Sequence, residues 1–98
     1  MRHVRLWRFV VPPENEARFV SAYGPDGDWA MLFAEAEGFE RVELWRSEDG
    51  SFMTADHWAS RADFDRFQSS RGERYQALDT ELEGLATDEI FIGAFDTA

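Results

Sequence analysis

The first predicted strand of this chain has no polar face. Residues 3–11 read HVRLWRFVV and are mostly β-branched or aromatic, which is typical of a β-strand. One alternating set of side chains contains Trp7 and Phe9, and the other contains Leu6 and Val10. A strand with one side in water would carry one polar set. We therefore expect this strand to be covered on both sides.

The rest of the chain alternates between helix and strand signals. The prolines at 12 and 13 end the first strand and open a helix, because proline is tolerated in a first helical turn. A capping box of Ser60 and Asp63 opens a long helix, which Gly72 is expected to loosen. The predicted elements are a strand at 3–11, helices at 14–23 and 28–36 with Asp28 as a cap, strands at 39–47 and 52–58, a helix at 61–85, and a strand at 89–95.

This order predicts an α+β fold of ferredoxin-like βαββαβ type in a single domain, residues 1–98. Right-handed crossovers give a four-stranded antiparallel sheet with the helices on one face. The apolar residues on the other face would then meet water, which forgoes about 25 cal/mol per Å². A second copy packed sheet against sheet covers that face, so we expect a homodimer.

Charge and composition exclude several classes of function. Twenty acidic residues against ten arginines give a net charge of −10, which disfavours nucleic acid and anionic membranes as partners. Cysteine is absent, which excludes thiol chemistry and fits a reducing cytoplasm. Neither a signal peptide nor a membrane-length apolar run is expected. The two histidines lack metal-ligand spacing, so we predict no metal site.

From residue 4 to 95 the chain resembles the antibiotic biosynthesis monooxygenase-like family. The matching segments are LWRFVV before Pro-Pro-Glu, AYGPDGDW at 22–29, EGF at 37–39, DHWAS at 56–60 and IGAF at 92–95. The resemblance implies a dimeric α+β barrel with a cleft between sheet and helices in each subunit. Members of the family include cofactor-free oxygenases of phenols or quinols, and haem-degrading enzymes.

The chain departs from the haem-degrading members at both of their functional positions. Those enzymes use an asparagine on the first strand, where this chain has Trp7 and Arg8. They also use an axial histidine after the conserved tryptophan, whereas residues 65–70 contain none. No side chain there is a good iron ligand, so we expect no haem and no other cofactor.

Asp56 is the best candidate for a proton acceptor. It has the same strand parity as Trp58, which by resemblance lines the cleft, whereas His57 points to the opposite face. A desolvated carboxylate has a raised pKa and takes a phenolic proton readily. The phenolate that results is a better electron donor to dioxygen than the phenol. The alternative is a structural ion pair of Asp56 with an arginine such as Arg8 or Arg71, which would hold a helix on the sheet.

Two sets of site residues follow. The predicted catalytic set is Asp56, Trp58 and Arg8, with Arg8 steadying negative charge. The predicted substrate-binding set is Trp7, Tyr23, Phe67, Arg71 and Tyr75. Each has a structural alternative, since arginine stems pack while their heads reach water and tyrosines serve as core aromatics. We expect His3 to be a solvated strand residue and His57 an interface or acid–base group.

The sequence thus predicts a cofactor-free monooxygenase acting on a small apolar or aromatic molecule of phenol or quinol type. One alternative is a non-catalytic small-molecule-binding domain of the same fold. Another is a structural dimer whose cleft is filled by its own side chains, which a cavity too small for a ring would indicate.

Overall fold

The computed structural model describes residues 1–98 and contains four strands and three helices. They are β1 (His3–Val10), α1 (Glu16–Tyr23), α2 (Asp28–Phe33), β2 (Phe39–Arg46), β3 (Phe52–Trp58), α3 (Arg61–Glu81) and β4 (Asp88–Asp96). The strands form one antiparallel sheet in the order β2-β3-β1-β4. The helices cover one face of this sheet, so the predicted ferredoxin-like α+β architecture is confirmed.

The helix starts differ in how they are capped. A short 3₁₀ turn (Pro13–Asn15) leads into α1, as the proline pair predicts. Ser60 caps α3, since its hydroxyl oxygen accepts a hydrogen bond from the Asp63 backbone N–H at 3.1 Å. The prediction that Asp28 caps α2 is wrong, because the capping position falls one residue earlier. The Asp28 carboxylate instead pairs with Arg18 at 3.4 Å.

The long helix α3 is kinked near its middle. Arg71, the residue before Gly72, has non-helical backbone angles of φ −129° and ψ 25°. Beyond the kink, Tyr75 and Leu78 pack against the main hydrophobic cluster. The kink thus sets the direction in which the second half of α3 crosses the sheet.

Strand parity decides which side chains face the helices. Trp7 on β1 lies opposite Thr54 on β3, and Arg5 lies opposite Asp56. In β2 the register shifts after Phe39, which brings its ring to 5.4 Å from the ring of Trp58 on the helix side. The simple alternation that places Phe39 on the same face as Trp45 is therefore wrong.

The buried face of α1 is rotated from the predicted one. The sequence suggests Ala17, Val20 and Tyr23, but Ala17 and Val20 are exposed while Phe19 and Ala22 are fully buried. Phe19 stacks on Tyr23 with ring centroids 4.3 Å apart and also contacts rings of β1 and β3. The larger aromatic ring therefore determines which side of the helix faces the core.

The face of the sheet opposite the helices is uncovered and carries large apolar side chains among charged ones such as Arg8 and Glu43. Its exposed large side chains include Trp45, Ile90 and Phe95, each 43–50% accessible. We call this surface, together with the same-facing Leu6 and Met53, the outer sheet face. None of the helices is both long and apolar enough to span a membrane.

Candidate functional site

A small cavity lies between the helices and the inner face of the sheet, and every helix and strand contributes to its wall. We call it the inner cavity. Its lining residues are Trp7, Phe9, Tyr23, Trp29, Phe33, Val42, Thr54, Asp56, Tyr75 and Glu89. Its volume is about 30 Å³, which is room for one or two water molecules.

Asp56 supplies a carboxyl group to the wall of this cavity, with no hydrogen-bond or ion-pair partner among the protein's side chains. Burial among aromatic rings raises its pKa to about 7, and the charge of Arg5 offsets part of the increase. Near neutral pH the carboxyl is therefore divided between its acid and base forms. A group in that state accepts or returns a proton efficiently.

Arg5 is the cross-strand neighbour of Asp56, yet its charge is directed elsewhere. The guanidinium carbon lies 4.0 Å from the centre of the Phe64 ring and 4.9 Å from that of Phe91. Burial lowers the pKa of Arg5, and aromatic faces rather than a carboxylate hold the cation. Arg5 therefore moderates the charge of Asp56 without neutralising it.

Two tyrosines from different helices flank Trp29 at the cavity. The ring of Trp29 lies 4.9 Å from that of Tyr75 and 6.2 Å from that of Tyr23. Burial raises the pKa of each tyrosine to about 12, so both stay protonated at neutral pH. The Trp29 indole N–H offsets part of the increase at Tyr23, although it makes no hydrogen bond of full geometry.

The structure brings together half of the residues predicted for the site. Trp7, Tyr23, Asp56 and Tyr75 all line the inner cavity. The sequence analysis misses the other six lining residues. Strand parity is a signal that could find Phe9 and Thr54, because Phe9 points to the same face as Trp7 and Thr54 to the same face as Asp56. The pairing of Glu89 with Phe9 depends on the β1–β4 register, which strand parity does not give.

Trp58 and Phe67 lie in the core beside the cavity and do not reach its wall. Their exposures are 0% and 1%, and their rings are 5.4 Å apart. Trp58 also packs edge-on against Phe33, Phe39 and Phe64. The observed contacts of Trp58 are therefore those of a core residue.

Arg8 and Arg71 lie away from the cavity and pair with other groups. Arg8 has the opposite parity to Trp7, and its guanidinium donates to the Asp49 carboxylate at 3.1 Å. Arg71, at the kink of α3, donates to the backbone carbonyl of Glu35 at 3.2 Å. Because each has another partner, neither Arg8 nor Arg71 forms the ion pair with Asp56 for which the sequence analysis named them as examples.

Neither histidine contributes to the cavity. His57 points to the outer sheet face, as its parity predicts, and its Nε2 lies 2.6 Å from Glu43 Oε1 without hydrogen-bond alignment. His3 is 2% exposed and its Nδ1 lies 2.8 Å from Asp96 Oδ1, so the expectation of a solvated residue is wrong. The reason is that β4 extends to Asp96, which pairs with His3, and that the Phe64 ring of α3 lies 6.1 Å from the His3 ring on the helix side.

A wider second cavity adjoins the first, and we call it the vestibule. Its volume is about 390 Å³, and its wall includes Tyr23 and Glu89, which also line the inner cavity. The other lining residues are Asp79, Thr80, Leu82, Glu83, Gly84, Ala86 and Thr87. The two cavities therefore meet at a doorway formed by Tyr23 and Glu89.

Fold and site together define a ferredoxin-like α+β protein with an aromatic cavity between sheet and helices. No protein-family model and no curated protein matches the chain. Among solved structures, a mutant of SnoaB, a cofactor-independent oxygenase from Streptomyces nogalater, is similar over 98% of this chain and 92% of its own, with 27% identity and a TM-score of 0.68.

Two further structures share the fold at lower identity. A predicted antibiotic biosynthesis monooxygenase from Nitrosomonas europaea is 13% identical, with a TM-score of 0.70 over 98% of this chain and 89% of its own. A mutant of MhuD with two manganese protoporphyrin IX molecules per active site is 22% identical, with a TM-score of 0.66 over 97% and 93%. The resemblance to antibiotic biosynthesis monooxygenase-like proteins is thus confirmed.

Proposed function

We propose that this chain is a cofactor-independent monooxygenase acting on a small phenol or quinol. The observation that carries the proposal is the Asp56 carboxyl, which lies unpaired in an aromatic cavity with its pKa raised to about 7. The similarity to SnoaB, a cofactor-independent oxygenase, supports the same class of reaction.

In the proposed reaction the Asp56 carboxylate takes the proton of the substrate hydroxyl. The phenolate then gives an electron to dioxygen, and the two radicals combine at a ring carbon. At a ring carbon that carries a hydrogen, the peroxide takes back the proton from Asp56 and is eliminated as water together with that hydrogen. The overall change is phenol plus dioxygen to quinone plus water. The substrate supplies all four electrons, so this stoichiometry balances without an external reductant.

Cavity size defines how such a substrate would bind. The inner cavity, at about 30 Å³, admits a hydroxyl group but no ring, whereas the vestibule, at about 390 Å³, is large enough for one. We propose that the ring occupies the vestibule and the hydroxyl passes the doorway toward Asp56. This requires the Tyr23 side chain to move. Tyr23 is the last residue of α1 and lies directly before the Gly24–Gly27 turn.

Oxygen consumption tests this proposal. With a panel of hydroquinones and anthrone-type phenols, the wild-type protein should consume dioxygen in proportion to product. Asp56→Asn should lower the rate about 100-fold or more, because it removes the proton acceptor. Asp26→Asn, the same change in an exposed loop, is the matched control. Absence of turnover, or equal rates in Asp56→Asn, would refute the proposal.

The small inner cavity also favours a second candidate, a domain of the same fold without catalysis. If it binds small molecules, aromatic ligands should raise the melting temperature without oxygen consumption. If instead its own side chains fill the site, no member of the panel should raise the melting temperature.

We also propose that a second copy of the chain covers the outer sheet face. Exposed Trp45, Ile90 and Phe95 on that face support a homodimer, because covering them removes apolar surface from water.

A further inference from the structure

The vestibule is ringed by negative charge. Asp79 and Glu83 come from the end of α3 and the turn after it, and Glu89 comes from the start of β4. Burial raises the pKa of Glu89, and the nearby Asp79 carboxylate adds to the increase. Charges that influence one another in this way lie close together around the doorway.

No positive side chain balances these carboxylates. All ten basic residues of the chain are arginines, and none lines the vestibule or the inner cavity. Arg5 is the arginine that acts on Asp56, and its guanidinium is held over Phe64 and Phe91. An anionic ligand would therefore meet repulsion at the doorway with no cation to receive it.

A second observation, independent of this acidic ring, points to a ligand. Asp56 presents a carboxyl on the wall of the inner cavity, and no side chain of the protein hydrogen-bonds to it or forms an ion pair with it. A hydroxyl donor from a ligand would satisfy it. The Tyr23 ring lines both the inner cavity and the vestibule, and an aromatic face attracts a cation.

We infer that the substrate is a phenol that also carries a protonated amine. Its hydroxyl is placed toward Asp56 in the inner cavity, and its ammonium group lies in the vestibule among Asp79, Glu83 and Glu89. This inference rests on the proposed function for its assignment of the hydroxyl end. The charge selection itself is a property of the vestibule and is measured without turnover.

The experiment compares three phenols of similar size and different charge. Tyramine is cationic at pH 7, 4-ethylphenol is neutral and 3-(4-hydroxyphenyl)propionate is anionic. Binding to the full chain is measured by quenching of tryptophan fluorescence and by the shift in melting temperature. We expect tyramine to bind about tenfold or more tightly than the anion, with 4-ethylphenol between them. Added salt should reduce the preference.

Variants locate the preference in the vestibule. Asp79→Asn and Glu83→Gln should each weaken tyramine binding about two- to fivefold and leave 4-ethylphenol unchanged. Glu73→Gln removes the same charge from an exposed position of α3 outside both cavities, and should change neither ligand.

The outcomes separate this inference from the proposed function. Preferential tyramine binding that depends on Asp79 and Glu83, without oxygen consumption, supports the inference and refutes the oxygenase. Oxygen consumption with equal affinity for all three phenols supports the oxygenase and overturns the inference. Failure of all three to bind, tightest binding of the anion, or equal effects of Glu73→Gln and Asp79→Asn would overturn the inference.

Discussion

At the scale of single residues, the site depends on one carboxyl group whose charge is poorly solvated, because aromatic side chains surround it. Asp56 faces the helices because it has the same strand parity as Thr54 and Trp58 on β3. Its neighbours in the cavity wall are mainly aromatic rings. The only cation that acts on it, Arg5, is engaged by Phe64. The same burial that raises the pKa of Asp56 should therefore cost the protein stability when the group ionises.

This cost predicts a pH dependence of folding. The pKa of Asp56 is about 7 in the folded chain against an ordinary value of 3.8, so the native state holds the extra proton between those values. Stability should fall as pH rises through this window, by about 2–4 kcal/mol. In urea unfolding at pH 4 to 8, Asp56→Asn should remove most of this slope. A parallel curve for the variant would contradict the pKa assignment.

Carboxylates with lowered pKa values change the folding stability in a different pH range. Ser51 and Arg8 hold the pKa of Asp49 well below its usual range, and Arg74 lowers that of Glu35. Their contribution is lost as pH falls through those lowered values, below about pH 4. The Asp56 effect is therefore separable from them in the neutral range.

At the scale of elements, the start of α3 is fixed by a contact with the turn before β2. Gly38 has φ +92°, and a Cβ there would lie 2.3 Å from Cγ of Asp63. Asp63 in turn accepts a hydrogen bond from the Ser60 hydroxyl at 2.9 Å. Only glycine combines that backbone conformation with the close approach of the capping carboxylate.

Substitutions at this junction should separate the contribution of Gly38 to stability from that of the Ser60 cap. Gly38→Ala should destabilise the chain by about 2 kcal/mol or more, through backbone strain and displacement of Asp63. Ser60→Ala should cost about 1 kcal/mol through loss of the cap. Gly50→Ala, at φ +87° with open space around it, is the control for strain alone. Thermal unfolding measures all three, and equal losses for Gly38→Ala and Gly50→Ala would contradict the contact.

The order of elements was predictable from sequence, but details that depend on distant contacts were not. Proline pairs, the Ser60–Asp63 box and alternating strands are local signals, and they placed most boundaries within a few residues. The register shift after Phe39 is not local, because it depends on how Phe39 packs against Trp58. Which aromatics enclose a cavity also depends on helix rotation, as Phe19 on α1 shows.

The same limit applies to the candidate site. Parity within β1 separates Trp7 from Arg8, yet the sequence analysis assigned both to the site. That Trp7 shares a face with Asp56 follows from the β1–β3 register, which the sequence does not give. The depth of a side chain within the core could not be read from the sequence. The family resemblance implies a cleft position for Trp58, which is fully enclosed in the structure.

At the scale of the whole molecule, the uncovered outer sheet face predicts self-association. If a second copy covers it, Trp45→Glu should shift the protein from dimer to monomer in sedimentation at micromolar concentration, because it buries an unpaired charge. Met31→Glu changes a residue that is 68% exposed on the helix side and should have no effect. A wild-type monomer at that concentration would contradict the homodimer.

The central claim is that Asp56 accepts the proton of a phenol in the inner cavity. The most direct measurement is the initial rate of oxygen consumption with a phenol substrate as a function of pH. We expect a rate that rises with an apparent pKa near 7 in the wild type, and a low rate with no such rise in Asp56→Asn. A wild-type rate that is flat across pH 7, or a variant that keeps the same rise, would contradict it.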